Sequence, residues 1–493
     1  MKHSFLYILL LCVSAVAFCA CGGHPSVPSS AREDSSLPRL FPDYTDVTVP
    51  INLAAPNFMV DDSEVTDVVA SFSYPGGSLT FGSGKTVTID ADDWRMMAES
   101  ALDADIEVTL FTRRSDAWSR HPSFTIHVSS DSIDPWVSYR LIEPSYVAYE
   151  KIDLMQFSLS DAREVVIASN HDTRVNGSGK CLNCHSYQNY RTQNMLFHVR
   201  GNGGGTMLVL DGRPELKTAM RQGDMISNPV YPAWHPYLPL IAFSTNHTAQ
   251  LFHTEDIAKV EVQDTESELV LYDVEADSMT VIPSDVTDLE SFPAWSPDGK
   301  RLYYSSAHYA WPDSVSFESL AQKQTYYANN YKDIRYDLYV REFDEQTRTF
   351  GPRQLLFDAA SLGQSATLPR VSPDGRYLVY AKGAFGCFHI WHPDADINVL
   401  DLQTMQVDSL PAMNSARAES YPTWSSNGRW IFMASRRDDS NYSRIYISYF
   451  DRDGHAHKAF TLPHTDPMHD RLLLRSYNRP EPMLEQAREV KVK

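Results

Sequence analysis

The strongest constraint on the fold is a short segment that recurs four times in the second half of this 493-residue chain. The copies begin at Tyr231, Phe292, Leu368 and Tyr421, which are 61, 76 and 53 residues apart. Each pairs an aromatic residue or leucine with proline, and an apolar stretch, a turn and a second apolar stretch follow. Three of the turns contain Asp-Gly or Asn-Gly, a strong signal for a β-hairpin. A recurring hairpin in a chain of this length predicts a repeat architecture.

Each predicted hairpin is followed by two further candidate strands. The third strands are expected at 269–272, 337–340, 397–400 and 445–448, and the fourth near 281, 354–357 and 460–461. Four strands per repeat are typical of a propeller blade. Two earlier blades are predicted, one through 139–142 and 153–157 and one through 195–199 and 207–210. We therefore expect six blades, with 471–475 pairing with the first blade to close the ring.

The turn Ser-Pro-Asp-Gly, at 296–299 and 372–375, is the hallmark through which this repeat resembles the TolB-like β-propeller family. The resemblance covers roughly residues 230–465. Before the propeller, five short alternating segments between 41 and 130 predict strands of a small sandwich. The expected fold is all-β, with an N-terminal β-sandwich-like domain followed by a six-bladed TolB-like propeller.

The N-terminus has the layout of a secretory signal, with Lys2, an apolar run over 5–18 and small residues before Cys21. The run is too short to span a membrane. The Ala20-Cys21 step resembles a bacterial lipobox, which implies lipidation of Cys21, although Phe18 and Cys19 depart from the usual pattern. The predicted boundaries are a signal peptide at 1–20, a tether at 21–40, the sandwich-like domain at 41–130, the propeller at 131–480 and a tail at 481–493.

Charge and cysteine content narrow the possible partners. The formal net charge is -20 and no run of basic residues occurs, so nucleic-acid binding is not expected. After removal of the signal, the cysteines are Cys21, Cys181, Cys184 and Cys387, too few for a disulfide-rich scaffold.

One motif contains side chains that can bind a cofactor or a metal. In Cys181-Leu182-Asn183-Cys184-His185, two thiols can form thioether bonds to haem vinyl groups while the adjacent imidazole binds the iron. A local disulfide, a free dithiol and a zinc site remain alternatives, and zinc would need two further ligands. The flanking Gly and Ser residues predict a loop inserted between two early blades. Met195, His198 and Met207 are the candidate sixth ligands of the iron.

The arrangement as a whole is similar to Bacteroidetes-type lipoproteins in which a TolB-like propeller carries one Cys-x-x-Cys-His-Ser segment and a later Phe-His-x-Arg-Gly stretch. Residues 197–201 match the second element. The resemblance implies a covalently bound haem c and an outer-membrane anchor through the N-terminal lipid, with the protein facing the periplasm.

Two functions are expected from different classes. The first is electron transfer or redox sensing by a haem-bearing propeller that docks a partner in the envelope. The alternative is a propeller without haem that binds a protein, peptide or glycan, its CxxC forming a loop disulfide. Related propellers precede peptidase domains, but no Gly-x-Ser-x-Gly elbow occurs and about 30 residues follow the last blade, so catalysis is not the expectation.

Overall fold

The computed structural model describes residues 24–143, 150–173, 179–218, 220–312 and 314–492. The signal peptide and Cys21 lie outside the described residues. Within them the chain is almost entirely β, and a sandwich-like domain precedes a β-propeller, which confirms the predicted all-β fold class. No helix among these residues has the length and apolar character needed to cross a membrane.

The N-terminal domain packs a seven-stranded sheet, ordered β1-β9-β8-β10-β3 with β5 and β6 attached through β8, near a smaller sheet of β2, β4 and β7. The strands are β1 (Arg32–Glu33), β2 (Leu40–Phe41), β3 (Val47–Pro50), β4 (Phe58–Val60), β5 (Val65–Tyr74), β6 (Gly77–Phe81), β7 (Thr86–Val87), β8 (Ala104–Arg114), β9 (Ala117–Arg120) and β10 (Phe124–Ser129). Helix α1 (Ala91–Ser100), which we did not predict, begins where the Asp90 carboxylate accepts hydrogen bonds from two backbone N–H groups.

The strands of the remaining described residues divide into six blades, of which blades 3 and 4 join into one nine-stranded sheet through a single parallel pair, Ser267 and Leu289. Blade 1 contains β11 (Trp136–Ile142), β12 (Ile152–Ser158), β13 (Glu164–Ser169) and β35 (Ser476–Met483); blade 2 contains β14 (Cys181–Gln188), β15 (Arg191–Arg200), β16 (Gly205–Leu210) and β17 (Arg213–Lys217); blade 3 contains β18 (Pro229–Trp234), β19 (Leu240–Phe252), β20 (Val260–Asp273) and β21 (Ser278–Ile282).

The other three blades follow in chain order. Blade 4 contains β22 (Asp288–Trp295), β23 (Arg301–His308), β24 (Asp337–Asp344) and β26 (Gln354–Phe357), with the short β25 (Thr349–Phe350); blade 5 contains β27 (Ser365–Val371), β28 (Tyr377–Gly383), β29 (Asp396–Asp401) and β30 (Val407–Asp408); blade 6 contains β31 (Glu419–Trp424), β32 (Trp430–Ser435), β33 (Arg444–Tyr449) and β34 (Phe460–Thr461). Two helices lie outside the sheets, α2 (Leu320–Asn330) between β23 and β24, and α3 (His469–Leu472) before β35.

The ring closes through β35, the last strand of the chain, which pairs with β11 of the first blade. This closure removes a free sheet edge. Its position corrects our expectation that 471–475 would be the closing strand. Residues 471–472 belong to α3, whereas the strand begins at Ser476 and is buried along nearly its whole length.

Residues of the predicted tether and of the predicted tail both contact the folded body. In the region assigned as tether, β1 pairs with β9 and the Thr80 hydroxyl donates to the Pro25 carbonyl. In the region assigned as tail, the Ala487 and Val490 amides donate to Gln156 and Ile167. Both segments satisfy their backbone groups against neighbouring strands, which polar composition alone does not reveal.

Candidate functional site

The Cys181–His185 motif lies on β14, the innermost strand of blade 2, and this corrects the predicted loop insertion between blades. The strand carries a bulge, because its pairing with β15 shifts register between Asn183 and Ser186. Cys184 takes a left-handed φ of 53° at this bulge. The motif is therefore part of the blade itself.

The same bulge occurs on the innermost strand of every blade. The residues with positive φ are Cys184, Tyr231, Phe292, Leu368, Tyr421 and Arg479. In five blades the next residue is a buried proline, and the five are Pro232, Pro293, Pro369, Pro422 and Pro480. Blade 2 alone places a different residue there, His185. Proline suits this position because the bulged residue contributes no amide to the ladder. The motif thus replaces an apolar ring with an imidazole at an equivalent backbone site.

The His185 side chain is 1% exposed and packs toward blade 1, where it hydrogen-bonds to the backbone of Ser138. Its Nε2 atom is buried and has no hydrogen-bond partner among the described residues. Burial, with the nearby charges of Arg479 and Arg140, holds the pKa of His185 well below its usual value. The imidazole is therefore neutral at physiological pH, which is the form that binds metals.

Both cysteines of the motif are free thiols in the structure. Cys181 is buried and Cys184 is half-buried. Burial raises the pKa of the Cys181 thiol, which makes its spontaneous oxidation or nucleophilic attack unfavourable.

Cys181, Cys184 and His185 share the wall of one cavity of about 650 Å³ on one face of the propeller. That volume lies within the range of small-molecule and cofactor pockets. Alternate residues of the long strand β19, including Asn246, Thr248 and Gln250, line a second wall. Phe388 and Trp391, from the segment between β28 and β29, line a third. Insertions beyond the basic blades thus build much of the cavity.

Of the three candidate sixth ligands, the structure places one at the cavity. His198 on β15 lines it, and its buried Nε2 has no partner among the described residues, whereas its Nδ1 lies 2.9 Å from the Thr206 hydroxyl. Burial lowers the pKa of His198 to about 3. Met195 and Met207 instead pack in the apolar core between blades 1 and 2. Successive residues of a strand face opposite sides, which separates His198 from Met195.

The donor set at the motif is not arranged as a bare metal site. Within the described part of the chain, only His464, His469 and Asp470 bring three metal-binding atoms within 4.8 Å of one another. That group includes none of the motif residues, and its two imidazoles stack with centroids 3.8 Å apart. The alternative of a zinc ion held by Cys181 and Cys184 therefore lacks its further ligands.

No family model and no curated protein matches the sequence. Similar solved structures include TolB from Acinetobacter baumannii, with 14% identity and a TM-score of 0.44 over 80% of this chain and 85% of that one. A lignostilbene dioxygenase from Pseudomonas brassicacearum has 10% identity and a TM-score of 0.36, covering 87% and 93%. An oligogalacturonate lyase in complex with manganese has 12% identity and a TM-score of 0.31, covering 86% and 99%. These similarities concern the fold alone.

Proposed function

We propose that the cavity holds one haem joined covalently to Cys181 and Cys184, with His185 as an axial ligand of the iron. The observation that carries this proposal is the buried, unpartnered His185 Nε2 at a position where five other blades have proline. A buried nitrogen without a partner costs about 1–3 kcal/mol, so a purely structural role does not account for it.

The surrounding residues fit such a group. The two thiols are free, and all three motif side chains reach the same cavity. The hydrogen bond from the imidazole to the Ser138 backbone orients the ring, as outer partners of metal-bound histidines commonly do. We propose His198 as a second residue that would hold the group, because it lines the same cavity with a neutral imidazole.

A bound haem supplies one-electron exchange, and the protein tunes its potential through ligands and burial. The function we propose is electron transfer or redox sensing in the cell envelope, with the propeller face docking a partner protein. Residues preceding the described body supply the anchor, through lipidation of Cys21, at the periplasmic side of the outer membrane. Intact-mass measurement of the exported protein, with Cys21→Ala as the control, tests the lipidation.

The haem proposal is tested by coexpression with a cytochrome c maturation system and a pyridine haemochrome spectrum of the denatured protein. We expect one covalent haem per chain in the wild type, a spectrum typical of a single thioether in Cys181→Ala, and no covalent haem in Cys181→Ala/Cys184→Ala. Cys387→Ala is the matched control, since Cys387 is also a buried free thiol but does not line the cavity. A colourless wild-type protein would contradict the proposal.

The competing function is recognition of a protein, peptide or glycan by a propeller without haem. The polar side chains along β19, Asn246, Thr248 and Gln250, favour it because they offer hydrogen bonds to a ligand in the same cavity. A pull-down from envelope extract with the Cys181→Ala/Cys184→Ala variant separates the two. Unchanged partner recovery, together with a wild type that carries no haem, would support the binding module.

A further inference from the structure

The cavity wall has a charge opposite to that of the molecule. Although the chain carries a formal net charge of -20, the described lining contains six cationic side chains and a single acidic one, Glu143. The six are Arg140, Lys151, Arg200, Lys217, Arg436 and Arg479. A concave surface lined by one sign of charge concentrates the field and attracts ligands of the opposite sign.

Two of these cations already have acidic partners. Lys217 lies 3.0 Å from a Glu215 oxygen, and the Arg479 Nε donates to Glu481 over 3.0 Å. They contribute less to the field inside the cavity than an unpaired charge does.

Arg436 is different, because it is 4% exposed and forms no ion pair within 4 Å with any carboxylate of the described residues. Its guanidinium stacks on Trp391 at 3.4 Å, and its Nε donates to the Ile390 carbonyl over 2.6 Å. Burial lowers the pKa of Arg436 to about 9, which leaves the side chain charged at neutral pH. Asp439 attracts Arg436 only from beyond pairing distance, so the buried charge stays costly, and an anion in the cavity would relieve that cost.

Arg140 on β11 supplies a second unpaired cation beside the motif. The residue is half-buried, its side chain makes no hydrogen bond or ion pair with any residue that the structure describes, and it interacts electrostatically with Cys181 and His185. The neighbouring strand β35 adds neutral polar groups, since Asn478 pairs with Arg140 in register and also lines the cavity.

We infer that Arg140 and Arg436 form a carboxylate-binding wall, which receives the two propionates of the porphyrin held at the Cys181–His185 motif. The inference rests on the proposed function. Guanidinium groups bind carboxylates through paired, charge-assisted hydrogen bonds. The aromatic side chains of Phe388 and Trp391 give the same cavity the apolar surface that a porphyrin ring needs.

The test uses the full chain produced without haem attachment and titrated with metal-free protoporphyrin IX or with its dimethyl ester, followed by tryptophan fluorescence. The dimethyl ester neutralises both propionates, so we expect the free acid to bind roughly a hundredfold tighter than the ester, as loss of two charge-assisted contacts implies. Arg140→Gln should weaken binding of the free acid by roughly tenfold and leave the ester unchanged. Arg213→Gln is the matched control, because Arg213 is exposed on β17 and does not line the cavity.

Three results would overturn the proposed carboxylate-binding wall. They are equal affinity for the acid and the ester, no binding of either, and an unaltered affinity for the acid in Arg140→Gln. Arg436→Lys, which keeps the charge, guards against loss of folding at that buried site and should retain part of the preference for the acid. Because the probe lacks iron and forms no thioether, its result is independent of haem attachment. The protein could bind porphyrin in a manner that depends on Arg140 and yet acquire no covalent haem in cells. That result would reject the proposed function and leave a site for a free carboxylate ligand.

Discussion

Replacing His185 with proline restores the residue that the five other blades have at this position, and we expect the haem-free protein to become more stable. Proline at a compatible backbone site adds about 0.4–1 kcal/mol by restricting the unfolded chain. Removal of the buried, unpartnered Nε2 relieves a further 1–3 kcal/mol, roughly, of desolvation cost. Loss of the hydrogen bond to the Ser138 backbone takes back about 0.5–1.5 kcal/mol. The expected net gain is therefore about 1–2 kcal/mol.

Urea unfolding of wild-type and His185→Pro chains, both without haem, measures this difference as a shift of the midpoint at constant slope. The reverse change in another blade, Pro369→His, is the matched control, because Pro369 is buried at the equivalent position after Leu368. We expect it to destabilise the protein by at least the same amount. A His185→Pro protein that is less stable than the wild type would refute the equivalence of the two positions, and with it the argument that His185 is retained for a ligand.

Three further predictions concern the scaffold. Burial raises the pKa of Glu290 from 4.5 to about 7, so the stability that the protonated carboxyl contributes below pH 4.5 is lost as the pH rises through 7. The loss amounts to about 3 kcal/mol. We expect Glu290→Gln to remove this pH dependence in unfolding measured from pH 4.5 to 8. Trp295→Phe removes the hydrogen bond from Nε1 to the Ala233 carbonyl of blade 3 and should lower the free energy of unfolding in urea by about 1–2 kcal/mol. As a control, Trp118→Phe, at a half-exposed position on β9, should lower it by under about 0.5 kcal/mol. Asp470→Asn breaks a buried cluster in which Arg444 and His464 lie 3.7 and 3.4 Å from the carboxylate, and the expected loss is about 3 kcal/mol by calorimetry at pH 7.

Most of the blades could be predicted because their turns are local. In the Ser-Pro-Asp-Gly turn, the Ser296 hydroxyl donates to Asp298, its oxygen accepts from the Arg301 amide, and Gly299 adopts a φ of 70°. Each of these contacts lies within five residues, so the sequence pattern records them directly. The strands of blades 3 to 6 were therefore predicted close to their observed positions.

Blade 2 was harder to recognise because its innermost strand lacks both landmarks of the repeat. Cys184 and His185 stand in place of the aromatic-proline pair, and Tyr187 stands where Trp234 and Trp295 occur in the next two blades. An alignment by strand position instead of residue type would have placed the motif on a strand. No local sequence pattern marks Arg140, Trp391 and Arg436 as site residues, because tertiary folding alone brings these distant residues to one cavity.

The candidate site arises from departures from the repeat that coincide in space. Blade 2 exchanges proline for His185, β19 extends beyond its blade to Phe252, and the segment after β28 brings Trp391 against Arg436. Each departure lowers the stability of the folded chain on its own, because it leaves an unpartnered nitrogen, an exposed strand edge or an unpaired buried charge. One planar, dianionic ligand with a metal at its centre compensates both the nitrogen and the charge, and this common compensation is why we favour a haem in the cavity over a ligand bound by polar contacts alone.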